Sequence, residues 1–285
     1  MSEVNSIAVV GAGAMGSGIA LTAAMSGLKV WQIDVSQEQL DRAHAYHAKT
    51  LKRSVDKERI SQADSDAALS RIEHLTDLAG ASDADWAVEA ATEDAELKKR
   101  IFQQMHGTFG PQVVLATNTS SISITDIASS LPDGADRVIG MHFFNPVPVM
   151  KLVEVITGLQ TSEDTAHRTI ALAEGMGKTP IVANDRAGFV SNRVLMPMIN
   201  EAFYAWMDGV AEPEAIDGIM KLGCAFPMGP LRLADFIGLD VCHHIMMVLY
   251  DELGDQKYFP CPRLRQLVNA GRLGDKTGHG VYEHD

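Results

Sequence analysis

The chain changes its hydrophobic rhythm near residue 185. Before that point, short apolar runs of strand length recur: SIAVV (6–10), LKVWQID (28–34), DWAVEAA (85–91), VVLATNTS (113–120) and RVIGMHFF (137–144). Continuous runs of this kind suit strands buried on both faces, as in parallel sheets. Between them lie stretches with helical spacing: from the glycine-rich turn at 11–16 to about Ser26, from Gln37 to Val55, and AELKKRIFQQMH (95–106), where Leu97, Ile101 and Met105 share one face. Residues 123–131 predict a short helix, 56–71 a charged helical insertion and 72–78 a short strand. MKLVEVI and KTPIVAN (178–184) predict two more strands flanking a helix over 162–176. This alternation predicts a mostly parallel sheet with helices on both faces.

Beyond about Arg186 the strand pattern stops. FVSNRVLMPMINEAFYAWM has helical spacing at Val190, Val194, Met198, Ala202 and Trp206, with a kink expected at Pro197. Further helices are expected near 213–222, 236–253 and 262–271. The fold class is therefore α/β: a Rossmann-like, doubly wound, mostly parallel sheet over residues 1–186, then an all-α C-terminal domain over 187–285.

Composition narrows the function classes. At 285 residues, 46% hydrophobic and 21% charged, the chain has an ordinary globular composition. Its formal net charge of −13 argues against nucleic acid as a partner, although backbone N–H groups can still bind a small phosphate-bearing ligand. Cys224, Cys242 and Cys261 are odd in number and widely spaced, so neither a disulfide framework nor a zinc site is expected, and a reducing, cytoplasmic compartment is. No basic leader precedes an apolar segment and no apolar run is long enough to span a bilayer, so neither targeting nor membrane association is expected.

The turn GAGAMG (Gly11, Ala12, Gly13, Ala14, Met15, Gly16) sits between a predicted strand and helix, and Asp34 closes the next strand about 20 residues on. Gly11 permits the tight turn, Gly13 admits a pyrophosphate, and Gly16 allows close helix–strand packing. A glycine-rich turn alone can bind nothing. Strand, turn, helix and acid together point to a dinucleotide. Asp34 would accept hydrogen bonds from ribose hydroxyls and repel a 2′-phosphate, and Val35-Ser36-Gln37-Glu38 offers no Arg, so NAD is favoured over NADP.

Polar residues gather where successive strands end: Glu89 and Glu93, then Asn118 to Ser121, then His142 and Asn145. Ligands of open parallel sheets bind beyond such ends. Glu89 is read as capping or solvating its strand end. His243, His244 and His279 are read as helix-surface and tail residues, and Met246 and Met247 as packing. Glu154 lies inside KLVEVI, where alternation puts it with Leu152 and Ile156 opposite Val153 and Val155. It either faces solvent on an edge strand or accepts a hydrogen bond from His142, fixing the tautomer and stabilising the imidazolium. The residues alone leave these readings open.

GAGAMGSGIA, EAATEDAELKK, NTSS, HFFNPVPVMKLVEVI, GFVSNRVLMPMINEA and PMGPLRLADFIGLD together resemble the L-3-hydroxyacyl-CoA dehydrogenases, and the short bacterial 3-hydroxybutyryl-CoA dehydrogenases in particular. The resemblance spans almost the whole chain. It implies that His142 is the catalytic base, Glu154 its partner, Ser120 the serine near the substrate 3-oxygen and Asn192 the substrate-side asparagine. It also implies that Asp34, Glu93, Lys98, Ser120 and Asn145 contact the cofactor, and that Arg53 and Lys57 contact the CoA moiety. Two departures stand out: SSLPDGADR is one residue longer than usual, and LGDKTGHG carries Asp275 where the family commonly has Arg.

The expected activity is NAD-dependent, reversible oxidation of a short L-3-hydroxyacyl-CoA. The alternatives are a dehydrogenase of another substrate class, such as a sugar acid or imine, and a non-catalytic NAD-binding protein. Apolar spacing along 190–207 and 237–249 leaves helical faces in need of cover, so a homodimer through the C-terminal domain is expected.

Overall fold

The structure, a computed structural model, describes residues 4–284. It forms two compact units that divide between Asp185 and Arg186. The first holds β1 (Ser6–Val10), α1 (Ala14–Met25), β2 (Lys29–Ile33), α2 (Gln37–Asp56), α3 (Gln62–Ser70), β3 (Ile72–Leu75), β4 (Trp86–Glu89), α4 (Ala95–Thr108), β5 (Val114–Thr117), α5 (Ile124–Ser129), β6 (Val138–Phe143), β7 (Leu152–Thr157), α6 (Glu163–Gly175) and β8 (Thr179–Asn184). The strands form one sheet in the order β3-β2-β1-β4-β5-β6-β7-β8. Strand order reverses between β1 and β4, which opens a crevice beyond their carboxyl ends.

All neighbouring strands are parallel except β6 and β7. A parallel partner for β6 would need a long crossover. Residues 144–151 make only a short connection, so β7 returns antiparallel to β6, directly opposite it. The helix α6 then provides the crossover that lets β8 run parallel to β7. The sheet edge is therefore β8, whose Ile181 and Val182 are exposed, and β7 is an interior strand.

Helix starts follow from short polar side chains. Ser36, Ser61, Asp94, Ser123 and Ser162 each accept a backbone N–H at the start of α2, α3, α4, α5 and α6, a contribution of about 1 kcal/mol per cap. The α1 helix differs, because its N-cap is Gly13 and carries no side-chain acceptor. On α4 the fully buried side chains are Lys98, Phe102 and Met105, while Leu97 and Ile101 are half-buried. Of the expected face, Met105 is buried, and the buried stripe otherwise runs one residue further along, through Lys98 and Phe102.

The second unit is helical: α7 (Ser191–Met207), α8 (Pro213–Gly223), α9 (Pro230–Ile237), α10 (Leu239–Leu253) and α11 (Pro262–Asn269). Its core includes Met196, Ile199, Phe203, Leu231, Cys242, Met246, Leu249 and Leu264. Two expectations are corrected. The helix α7 buries Met196, Ile199, Ala202 and Phe203, whereas Val190 and Val194 are exposed. The segment expected as one helix from 236 begins earlier and breaks: α9 and α10 meet at 98° at Gly238, whose φ of +104° suits glycine. Among the described residues no single helix is long and apolar enough to cross a membrane.

His47 on α2 is fully buried, and its Nε2 lies 3.0 Å from the Ser17 carbonyl. Burial holds its pKa down at about 4, against 6.5 in the unfolded chain, and the nearby His74 and His44 add to the depression while the Ser17 contact opposes it. Between these values the unfolded chain takes up a proton that the folded chain refuses, so stability falls as pH falls through this window. The loss is about 2 kcal/mol between pH 7 and pH 5 from this group. Urea unfolding at both pH values should show it, and the pH dependence should shrink in His47→Gln.

Candidate active site

The turn between β1 and α1 is shaped by what its glycines exclude. Gly11 has φ +112°, and a Cβ there would lie 2.6 Å from the Ala90 carbonyl oxygen. A Cβ on Gly16 would overlap the Gly11 carbonyl. Gly13, in contrast, is exposed and has nothing within 4 Å of a Cβ position. Ala14 is also exposed, Met15 is half-buried and Ala12 is buried. The backbone at Gly13 and the first turn of α1 thus face open space with no side-chain cap, the arrangement that receives an anion. Asp34 holds the turn from the side: Oδ2 accepts from Ala12 N at 2.9 Å and Oδ1 from Ser36 N at 2.9 Å. A carboxylate with lone pairs left over, beside an anion-receiving helix start, fits the ribose and pyrophosphate of a dinucleotide.

Strand register carries this line across the sheet. Val10 pairs with Glu89, Glu89 with Thr117, and Thr117 with Gly140. His142 lies two residues further along β6, at the same end of the sheet. Its partner across the antiparallel pair is Glu154. Direct opposition brings side chains of one face together, and His142 Nδ1 lies 2.7 Å from Glu154 Oε2. Both residues are buried, at 7% and 4% exposure. A carboxylate only accepts, so Nδ1 carries the proton and donates it to Glu154. The Phe144 ring packs on the imidazole with centroids 4.6 Å apart. The solvent-facing reading of Glu154 required an edge strand, and β7 is not one.

A third group gathers at the ends of β4 and β5. Glu93 Oε1 accepts from the Thr119 hydroxyl at 2.7 Å, from Ser120 N at 2.9 Å and from Ser121 N at 3.2 Å, with the Ser120 hydroxyl at 3.2 Å. Burial alone would raise the Glu93 pKa, but the Lys98 charge and these hydrogen bonds outweigh it and hold the carboxyl below its usual range. Asn118 accepts from Phe143 N at 2.9 Å and so ties β5 to the end of β6 next to His142.

Other expected residues are more scattered. Asn145 is exposed just beyond β6, and Asn192 is buried in the first turn of α7. Arg53 and Lys57 are exposed at the end of α2. Asp275 makes a two-pronged pair with Arg232 at 2.8 and 3.0 Å, so the acid that replaces the family's Arg is used within the chain. One expectation is corrected in part: Glu89 does not meet solvent but is fully buried, while its Oε1 accepts from Ala91 N just past the end of β4. The Lys98 side chain is 1% exposed and its ammonium sits between Glu89 and Glu93. The spacing of Glu89 and Lys98, on a strand end and the next helix, was the signal that could have paired them.

Fold and turn define a two-unit, dinucleotide-binding α/β protein. Residues 6–186 match the family described as 3-hydroxyacyl-CoA dehydrogenase, NAD binding domain, and residues 188–284 match its C-terminal domain. The chain belongs to the 3-hydroxyacyl-CoA dehydrogenase family. It is 52% identical over 283 residues to a probable 3-hydroxybutyryl-CoA dehydrogenase of Bacillus subtilis, covering 99% of this chain and 98% of that one. It is 45% identical to a 3-hydroxybutyryl-CoA dehydrogenase of Bradyrhizobium diazoefficiens, covering 99% and 96%. The crystal structure of (S)-3-hydroxybutyryl-CoA dehydrogenase from Ralstonia eutropha superposes with a TM-score of 0.95 at 49% identity, covering 99% of this chain and 100% of that one.

The glycine geometry separates folding from binding. Gly11→Ala should lower the melting temperature by several degrees, since both φ and the Ala90 contact oppose a side chain. Gly13→Ala should melt near wild type yet bind NADH at least about tenfold more weakly, because its methyl fills the anion's approach. Thermal melts and fluorescence titration with NADH check both.

Proposed function

We propose that the protein oxidises an L-3-hydroxyacyl-CoA reversibly to the 3-ketoacyl-CoA with NAD, the acyl group being short, as in 3-hydroxybutyryl-CoA. The observation that carries this reading is the buried 2.7 Å contact between His142 and Glu154, at the sheet end where the glycine turn also lies. A binding module needs no buried proton-transfer pair. The short acyl group follows the relatives, both named for 3-hydroxybutyryl-CoA.

Gly11 to Gly16 and Asp34 hold the dinucleotide, which when bound supplies the hydride acceptor. His142 Nε2 takes the proton of the 3-hydroxyl during oxidation and returns it to the 3-oxygen during reduction. Glu154 fixes the ring through Nδ1 and stabilises the imidazolium that forms. Ser120, its loop anchored on Glu93, hydrogen-bonds the reacting oxygen, and Asn192 holds the thioester side of the substrate. Asn145 contributes to the cofactor site, and Arg53 with Lys57 offers cations to the CoA phosphates. Asp34 and the lack of a following Arg favour NAD over NADP.

The first unit serves as the cofactor domain, and the helical unit closes over the substrate and makes a homodimer. Exposed Val210, Ile219, Leu222, Phe236 and Val241 on the helical unit support the dimer, which light scattering tests. The three cysteines are free, which suits a reducing cytoplasm.

NADH oxidation should follow addition of acetoacetyl-CoA and be much weaker with NADPH. Activity restricted to sugar-acid or imine substrates would replace this reading with the second dehydrogenase class, and NADH binding without turnover would leave a binding protein. His142→Gln should lose roughly 10²–10⁴-fold in kcat while still binding NADH. Glu154→Gln should also lose kcat with NADH affinity retained. Near-normal turnover by His142→Gln would remove it from the chemistry.

A further inference from the structure

A second set of buried ionisable groups lies behind the Ser120 loop. Glu89, at the end of β4, is fully buried and Lys98, on α4, is 1% exposed. The Lys98 ammonium donates to Glu89 Oε1 at 2.7 Å and lies 3.3 Å from Glu93 Oε2. Glu89 is itself committed on both oxygens: Oε1 also accepts from Ala91 N at 2.7 Å, and Oε2 accepts from the Thr117 hydroxyl at 2.7 Å. The result is a row of alternating charge running from the sheet interior outward. Its last member, the Glu93 side chain at 28% exposure, carries the backbone and hydroxyls of residues 119–121.

We propose that Glu89 and Lys98 are positioning residues for the reaction: Glu89 fixes the Lys98 ammonium, and Lys98 fixes the Glu93 carboxylate on which the Ser120 loop hangs. This rests on the reading of Ser120 as a ligand of the reacting oxygen. A buried pair that served stability alone could be replaced by apolar side chains at little or no loss. Here the ammonium has a second task that an apolar side chain cannot perform. It compensates Glu93, which burial would otherwise drive toward its neutral form. A neutral Glu93 would accept from Thr119, Ser120 and Ser121 more weakly than a carboxylate does, because the charge-assisted part of those hydrogen bonds is lost. Lys98 therefore acts on the substrate through Glu93 and Ser120, with no contact of its own.

The test compares Lys98→Met, Glu89→Gln and the charge-free pair Glu89→Gln/Lys98→Met, each with and without Glu93→Gln. Glu89→Gln keeps one acceptor oxygen for Ala91 N and offers an amide N–H to the Thr117 hydroxyl oxygen, so the pair leaves Glu93 as the one charged member of the row, and it remains measurable where Lys98→Met does not fold. Melting temperature and kcat with acetoacetyl-CoA are read for each. The pair should melt closer to wild type than Lys98→Met does, yet keep a loss in kcat on the order of 10–100-fold, as for a misplaced substrate-positioning group. In the Glu93→Gln background the same changes should cost less than about twofold, because the link they act through is gone. Recovery of kcat together with melting temperature in the pair, or an undiminished loss in the Glu93→Gln background, would overturn the proposal. Ser120→Ala run alongside separates the two levels. If it turns over normally, the Ser120 reading fails; if it is impaired while the pair is not, only this inference fails.

Discussion

The site depends on the antiparallel register between β6 and β7. His142 and Glu154 meet because the short connection 144–151 forces β7 back along β6 with these two residues opposite each other. Side chains alternate along a strand, so a slip of one residue would turn Glu154 to the other face of the sheet. It would also bury a carboxylate with no donor, and leaving one partner of a buried pair alone costs about 3–5 kcal/mol. Packing and electrostatics therefore select the same register. Val153 and Val155 fill the core on the opposite side, which strengthens the choice.

The same end of the sheet collects the other groups expected to meet a ligand. The uncapped start of α1, the Asp34 carboxylate, the Glu89–Lys98–Glu93 row and the His142–Glu154 pair all lie toward the end of the sheet where β1, β2, β4, β5 and β6 finish. Elsewhere in the first unit the helix starts at α2 to α6 are capped by Ser or Asp. Local rules are thus kept where only folding is at stake and broken where a ligand completes them. Residues 119–121 link the two kinds of region. They leave β5 as ordinary chain, but their donors converge on a single oxygen of Glu93.

Much of this was legible in the sequence because it depends on local pattern. Strand length and continuous apolarity located β1, β4, β5 and β6, and GAGAMG followed by Asp34 located the turn. The pairing of His142 with Glu154 could not be decided from periodicity, since alternation says which face a residue shares but not which strand covers it. The resemblance favoured the pair, and the antiparallel return of β7 supplies the physical reason. The burial of Glu89 was hidden for a related reason: an acid at a strand end looks solvated until its partner on another element, Lys98, is known. On α7, Val190 and Val194 looked like core by spacing, but the buried stripe runs through Met196, Ile199 and Phe203. The break at Gly238 was hidden because both sides carry helical periodicity, and only the positive φ of that glycine turns the chain.

The central claim is that His142 and Glu154 act as one unit. A double-mutant cycle on kcat/KM with acetoacetyl-CoA and NADH measures this most directly, using His142→Gln, Glu154→Gln and the two combined. If Glu154 works only through the imidazole, the combined variant should be no slower than His142→Gln alone, to within about threefold. If the two losses multiply, the carboxylate acts independently of the ring, and the account of the site is wrong.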